Sequence, residues 1–389
     1  GARTIMEFEF ATVTRIIFGP GSVEKAPSIA GQIGDRALLV IGSDAERTKS
    51  LRQRLLKRGI RVTSFQVMGE PTLDLVIEGV ARARKAGCEI VVAMGGGSVL
   101  DTGKAIAALL TNRGNLLDYL EVVGGGQQLA RPSAPCIAIP TTSGTGAEVT
   151  RNAVLGVPEK RVKVSMRSHF MLPSVAVVDP TLTYSMPPSI TASTGLDALT
   201  QLLEAFVCNR PNPLTDGICR EGLMRAARSL YRAFVDGRDA AAREEMAVAS
   251  LFGGLALANA KLGAVHGIAG PLCGMFPAPH GVICGRFLPW VLEANIRALQ
   301  QREPASPILA RYDEVARMLT GDAEALAEDG IKWVKRLCEE LRLPSLREFG
   351  LDQTDFSLVV ANSRRASSMQ GNPIALTDEE LMRILQKAF

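Results

Sequence analysis

The run Glu89-Ile90-Val91-Val92-Ala93-Met94-Gly95-Gly96-Gly97-Ser98 sets the architecture of the first half of the chain. After Glu89 it is apolar at strand length, and it passes straight into three glycines. A strand without polar alternation belongs in a sheet covered on both faces, and such sheets are mostly parallel. The residues after Ser98, with Asp101 and Lys104 among them, read as a helix. Glycines at a strand-to-helix junction let the backbone approach a bulky anion, and the free N–H groups of the helix start favour a pyrophosphate. A plain tight turn carries the same glycines, so the junction alone does not establish a dinucleotide site.

Working outward, residues 37–41, 61–67, 136–139 and 175–178 are further β-rich runs, and helical stretches separate them. That alternation predicts βα units and an α/β domain with a mostly parallel, buried sheet over residues 6–184. After Pro187-Pro188 the β pattern fades, and residues 195–206, 216–234, 240–259, 322–341 and 377–388 read as helices. The expectation is an all-helical domain over 185–389. Residues 7–18 read as β-rich, and residues 1–5, ahead of Met6, are read as preceding the natural start.

Composition narrows the function. The 389 residues carry 44 basic and 40 acidic side chains for a net charge of +4, with no basic stripe, so nucleic acid is not an expected partner. No apolar run approaches the roughly 20 residues that span a bilayer, and no membrane partner is expected. Seven scattered cysteines, never in a C-x-x-C pair, argue against a disulfide framework and a Cys-rich zinc site. A reducing, cytoplasmic setting is the expectation.

Three further features carry chemistry. Pro140-Thr141-Thr142-Ser143-Gly144-Thr145-Gly146 follows a predicted strand with hydroxyls and open backbone, where open α/β sheets place their ligands. An ordinary Ser/Thr-rich turn has the same composition. Asp197, Gln201 and Glu204 follow at helical spacing, with Asp197 and Gln201 on one face. Of three histidines, His266 and His280 sit in a Gly- and Pro-punctuated stretch, and one carboxylate with two imidazoles is a recognised set for a catalytic divalent metal. Histidines that only satisfy local backbone groups would leave the same composition; His169 is read that way.

Together these segments resemble the iron-containing (group III) alcohol dehydrogenases, which have a dehydroquinate-synthase-like fold. The resemblance runs through Phe18-Gly19-Pro20-Gly21, the Gly95–Ser98 and Pro140–Thr150 segments, Val178-Asp179-Pro180, Gly195-Leu196-Asp197, His266, Pro279-His280-Gly281 and Gly371-Asn372-Pro373. It implies hydride transfer between a nicotinamide cofactor, NAD or NADP, and a small alcohol or aldehyde in a cleft between two domains. It also implies cofactor contacts at Gly96, Gly97, Ser98, Asp101, Thr141, Thr142 and Thr145, and a substrate contact at Asn152. A homodimer formed through the N-terminal edge is expected as well. At Gly42 and Ser43, where NAD-selective relatives place an acid, room is left for a 2′-phosphate that Arg47 could reach; Asp44 is the counter-argument, and the reading favours NADP.

The metal would be held at Asp197, Gln201, His266 and His280. Two departures bear on it, because family members typically carry histidine where this chain has Gln201 and Gly270. An amide is a weaker ligand than an imidazole, so zinc, or an easily lost divalent ion, is expected over tightly held iron. A maleylacetate-reductase-like enzyme and a metal-free dinucleotide-binding relative without turnover stay open as alternatives.

Overall fold

Eight strands are present in the computed structural model, which describes residues 6–389: β1 (Arg15–Phe18), β2 (Arg36–Ile41), β3 (Arg61–Gln66), β4 (Ile90–Gly95), β5 (Cys136–Pro140), β6 (Asn152–Val157), β7 (Val162–Arg167) and β8 (Val175–Val178). Six of them form one parallel sheet in the order β1-β8-β5-β4-β2-β3. Helices α1 (Ala26–Ile33), α2 (Lys49–Lys57), α3 (Leu73–Lys85), α4 (Gly97–Thr111) and α5 (Leu116–Tyr119) connect them. Alternate residues of β4 feed different cores: Val91 and Ala93 pack with Ile106 and Ala107 of α4, whereas Ile90, Val92 and Met94 pack with Ile29 and Leu55. The apolar run of β4 is thus explained by burial on both faces. The chain order reverses between β2 and β4, which makes the carboxyl ends of those strands the ligand crevice of an open α/β sheet.

The remainder is helical: α6 (Pro188–Val207), α7 (Pro213–Val235), α8 (Ala240–Asn259), α9 (Ala264–Met275), α10 (His280–Arg302), α11 (Ile308–Thr320), α12 (Ala327–Glu340), α13 (Phe356–Arg365) and α14 (Asp378–Ala388). They close on one core that includes Leu199, Phe206, Leu223, Phe287 and Leu292. A smaller cluster joins the two regions, in which Val149, Ala176 and Val178 meet Ala247, Leu251 and Leu255 of α8. Among the described residues no single helix is long and apolar enough to cross a membrane.

Three expectations are corrected. The β-rich segment 7–18 contributes only β1, at the sheet edge, and ahead of it the Asn259 side chain pairs with the backbone of Ala11 where a strand would otherwise pair. Its amide accepts from the Ala11 N–H at 2.6 Å and donates to the Ala11 carbonyl at 2.9 Å. An antiparallel ribbon, β6 with β7, was not expected, and it packs against α9, where Val162 leaves no room for a side chain at Gly274. The Gly- and Pro-punctuated stretch around the histidines is helical, forming α9 and the start of α10.

Candidate active site

Gly96 is the N-cap of α4, and Gly97 and Ser98 form its first turn. A Cβ on Gly97 would lie 3.0 Å from Thr145 Oγ1 and one on Gly96 3.5 Å from Thr142 Cγ2, so the glycine turn and the Thr141–Thr145 loop face each other beyond β4 and β5. Gly42 and Ser43 follow β2 directly. These are the loops at the crevice, and the open amides of α4 point a positive dipole end into it. Asp101 has a structural engagement: Oδ2 accepts the Val154 N–H at 3.0 Å, and Oδ1 lies 3.3 Å from Lys104 Nζ. Buried Lys104 also donates to Thr150 Oγ1 at 2.7 Å, so the pair pins β6 to α4. Asn152 opens β6, half-buried and opposite Arg167.

Glu148 lies in the same loop, 2 % exposed, and burial pushes its carboxyl from an ordinary 4.5 to about 7, against the pull of the Lys104 charge. Between those two values the unfolded chain has released this proton and the folded chain retains it. Folding stability therefore falls as pH rises through that window. Glu148→Gln is expected to remove the effect: denaturant titrations should show the variant matching wild type near pH 4.5 and exceeding it by about 3 kcal/mol above pH 7.5. A difference that does not change with pH would overturn this.

Asp197 projects from α6, His266 from α9, and His280 and Cys284 from successive turns of α10. One ligand atom from each of the four lies within 4.8 Å of the others. His266 Nε2 is 3.4 Å from Asp197 Oδ1, and His280 Nδ1 is 3.2 Å from Asp197 Oδ2. The side chains of Asp197 and His266 are 4 % and 7 % exposed, and that of His280 is 36 % exposed, so the cluster is reached from the His280 side.

Glu204, two turns beyond Asp197 on α6, fixes the His266 ring. Its Oε1 lies 2.7 Å from Nδ1 and accepts the His266 backbone N–H, while Oε2 accepts the Val265 N–H at 2.9 Å. One carboxylate thus satisfies the open first turn of α9 and accepts a hydrogen bond from the imidazole Nδ1–H, which leaves Nε2 to face Asp197. Two lone-pair groups facing each other across 3.4 Å need a positive charge between them, either a proton or a metal ion. Protonation shifts follow the same logic. Although burial opposes it, His280 and His266 hold Asp197 well below the ordinary carboxylate range. Both imidazoles are raised despite burial, His266 by Cys284 and Asp197 and His280 by Asp197 and Cys284, and burial is likewise outweighed at Cys284, whose thiol the two histidines lower.

The Thr141–Thr145 loop and the cluster meet on one turn of α6. A Cβ on Gly144 would approach Thr194 Cβ at 2.9 Å, and one on Gly281 would fall 1.7 Å from the Ser193 carbonyl oxygen. Thr194 and Ser193 are three and four residues before Asp197, so one helical turn touches the threonine loop, the start of α10 and the carboxylate of the cluster.

Comparison with known proteins agrees with this arrangement. Residues 13–180 match the family described as iron-containing alcohol dehydrogenase, and residues 191–389 match the Fe-containing alcohol dehydrogenase family, C-terminal. The chain belongs to the iron-containing alcohol dehydrogenase family. It is 34 % identical to alcohol dehydrogenase 4 of Saccharomyces cerevisiae over 378 residues, 96 % of each chain. Its structure resembles that of a 1,3-propanediol oxidoreductase with a TM-score of 0.90 at 33 % identity, covering 99 % of this chain and 100 % of the other. A sulfoacetaldehyde reductase of Bifidobacterium kashiwanohense, solved with NAD⁺, gives 0.86 at 30 % identity and 98 % of both chains. The protein is therefore an oxidoreductase acting on CH–OH groups, in a family that uses a nicotinamide dinucleotide and a divalent metal.

The residues present fit such an ion: a carboxylate, two imidazoles and a thiol converge, and Glu204 orients one imidazole. Gln201, expected as a ligand, is buried one turn beyond Asp197, and its Oε1 has no hydrogen-bond partner among the described residues. Glu204 and Cys284 are site residues that the sequence reading did not assign. The signals were Glu204's helical spacing from Asp197 and Cys284's place four residues after His280.

Proposed function

We propose that this dehydrogenase interconverts a small aldehyde and its alcohol with NADP(H) favoured over NAD(H), using a divalent ion held by Asp197, His266 and His280. The observation that carries the proposal is the α6 turn 193–197, which places the carboxylate of the cluster one helical turn from the threonine loop at the cofactor crevice. When bound, the ion would polarise the substrate oxygen while the nicotinamide gives or takes the hydride. The chain's own part is positioning. The glycine turn and Thr141, Thr142 and Thr145 offer amides and hydroxyls to the pyrophosphate, Glu204 orients His266, and burial of Asp197 and His266 keeps bulk water from all but the His280 side. A side chain built at Gly270 would meet nothing within 4 Å, so the space beside this residue is open to substrate.

The cofactor preference rests on the end of β2. Gly42 carries no acid, and Asp44 Oδ1 is engaged with the Glu46 N–H at 3.1 Å. Arg47, the expected phosphate contact, instead donates to the Leu182 carbonyl at 2.9 Å. Lys49 and Arg52 take over as candidates, since they line a groove of about 440 Å³ beside Ile41, Ala45 and Gln66. Following reduced-nicotinamide absorbance with a panel of small aldehydes is expected to show kcat/KM with NADPH at or above that with NADH. Arg52→Ala should lower the NADPH/NADH ratio by about tenfold, the worth of one charge-assisted contact. An NADH advantage above about tenfold would overturn the cofactor preference, and no absorbance change with any aldehyde would overturn turnover itself.

A further inference from the structure

We infer that Cys284 is the fourth protein ligand of the metal, replacing the imidazole that relatives carry where this chain has Gln201, and that the site is thereby suited to zinc. The inference rests on the metal-dependent reading above and adds a ligand to it.

The geometry is that of a ligand. Cys284 Sγ lies 3.7 Å from His280 Nδ1 and 4.0 Å from both His266 Nε2 and Asp197 Oδ1. Donors about 2.0–2.3 Å from a tetrahedral ion are about 3.3–3.6 Å apart, so the sulfur needs to approach its three neighbours by only a few tenths of an ångström, and the four donors already lie within 4.8 Å of one another. His280 and Cys284 are four residues apart on α10, which stacks their donor atoms on one face. Cys284 is fully buried, so its sulfur faces the cluster rather than solvent.

Gln201 occupies the position at which the family resemblance expects the fourth imidazole. It stands one turn after Asp197 on the same helix, nine-tenths or more buried, with an orphaned Oε1 that a Cβ on Gly253 would approach to 3.2 Å. An amide oxygen is a hard, neutral donor, whereas a thiolate is soft and anionic, and soft donors favour zinc over ferrous iron. Exchanging imidazole for thiolate keeps four protein ligands and adds one negative charge. With Asp197 and Cys284 both ionised, a divalent ion in this buried pocket is balanced in charge, which lowers the desolvation cost of holding it. Zinc expands to five ligands, so a substrate oxygen still has a place.

The test loads metal-stripped full-length protein with Co²⁺ and records its absorption spectrum. Wild type is expected to show an intense near-ultraviolet thiolate-to-cobalt band together with the weaker visible bands of bound Co²⁺. Cys284→Ser should keep the visible bands, lose the ultraviolet band and bind Zn²⁺ at least tenfold more weakly. Gln201→Leu should keep the ultraviolet band and lose less Zn²⁺ affinity than Cys284→Ser. The wild-type spectrum alone decides the matter if a variant does not fold. Visible bands without the thiolate band would overturn the inference and leave the metal reading standing. Absence of any Co²⁺ spectrum would overturn both. A thiolate band that survives Cys284→Ser, or a greater Zn²⁺ loss in Gln201→Leu, would overturn the role of Cys284.

Discussion

His280→Ala is expected to lower kcat/KM by about a thousandfold and to reduce bound divalent metal in parallel. The expectation follows from where the imidazole sits: it is 3.2 Å from Asp197 Oδ2 and is the one ligand candidate with appreciable exposure, at 36 % of its side chain. Its loss opens the cluster to water and removes a donor that no neighbour can replace. Polarisation of a substrate oxygen by a bound ion is worth several kcal/mol, and each 1.36 kcal/mol is tenfold in rate, which sets the thousandfold scale. Wild-type protein stripped with chelator should fall to a comparable level and recover with Zn²⁺ or Fe²⁺, whereas His280→Ala should not recover. His169→Ala is the control, because His169 is a surface residue paired with Glu9 at 3.2 Å, and it should leave both quantities unchanged. Full activity in stripped protein, unaffected by His280→Ala, would show that this branch has lost its metal role and works by cofactor positioning alone.

The inner strands β2, β4, β5 and β8 were legible because each is a short, largely apolar run, and double burial leaves that mark on sequence. Residues 7–14 were misleading for a non-local reason. They are β-rich, but the backbone of Ala11 is paired with an Asn259 side chain 248 residues away, which no local pattern can reveal. The β6–β7 ribbon was hidden by its polar residues, Lys163 and Ser165, and by Gly156. α9 contains Gly267, Gly270, Pro271 and Gly274, and α10 contains Pro289, all of which normally read as breaks. Tertiary packing overrides that penalty: a Cβ on Gly267 would meet Met369 and one on Gly274 would meet β7, so small residues there permit close approach.

The missed helices explain the missed site residues. Asp197, His266 and His280 were singled out by residue type together with the family resemblance. Cys284 joins them only if the residues after His280 are helical, since an extended chain would turn position 284 away from position 280. Glu204 was visible as a helical neighbour of Asp197, yet its partner is the first turn of α9, an element the sequence did not announce. The crevice loops show the same division. Gly96, Gly97 and the threonines stand at the carboxyl ends of β4 and β5 as expected, whereas Arg47 is held by the Leu182 carbonyl, a contact across 135 residues.

Gly281→Ala is expected to cost about a hundredfold in kcat/KM and to weaken metal binding, though the residue offers no side chain to the site. A Cβ at this position would lie 1.7 Å from the Ser193 carbonyl oxygen and 2.4 Å from its carbon, both of them backbone atoms that no rotamer change can move. The start of α10 must then retreat from α6 by about 1 Å or more, a displacement of the size that costs two orders of magnitude when reacting groups are misplaced. His280 is the adjacent residue, and Ser193 is one turn before Asp197, so the retreat acts directly on the 3.2 Å contact between them. In an α-helix the carbonyl of residue 193 also accepts the N–H of residue 197, so the clash strains the turn that carries the carboxylate. Gly217→Ala is the matched control: it lies on an exposed face of α7 with nothing within 4 Å of a new Cβ, and it should raise stability by about 0.5–1 kcal/mol without touching activity. Wild-type turnover and metal content in Gly281→Ala would mean that the approach of α10 to α6 does not set the ligand geometry, and the cluster would then owe its position to Glu204 and α9 instead.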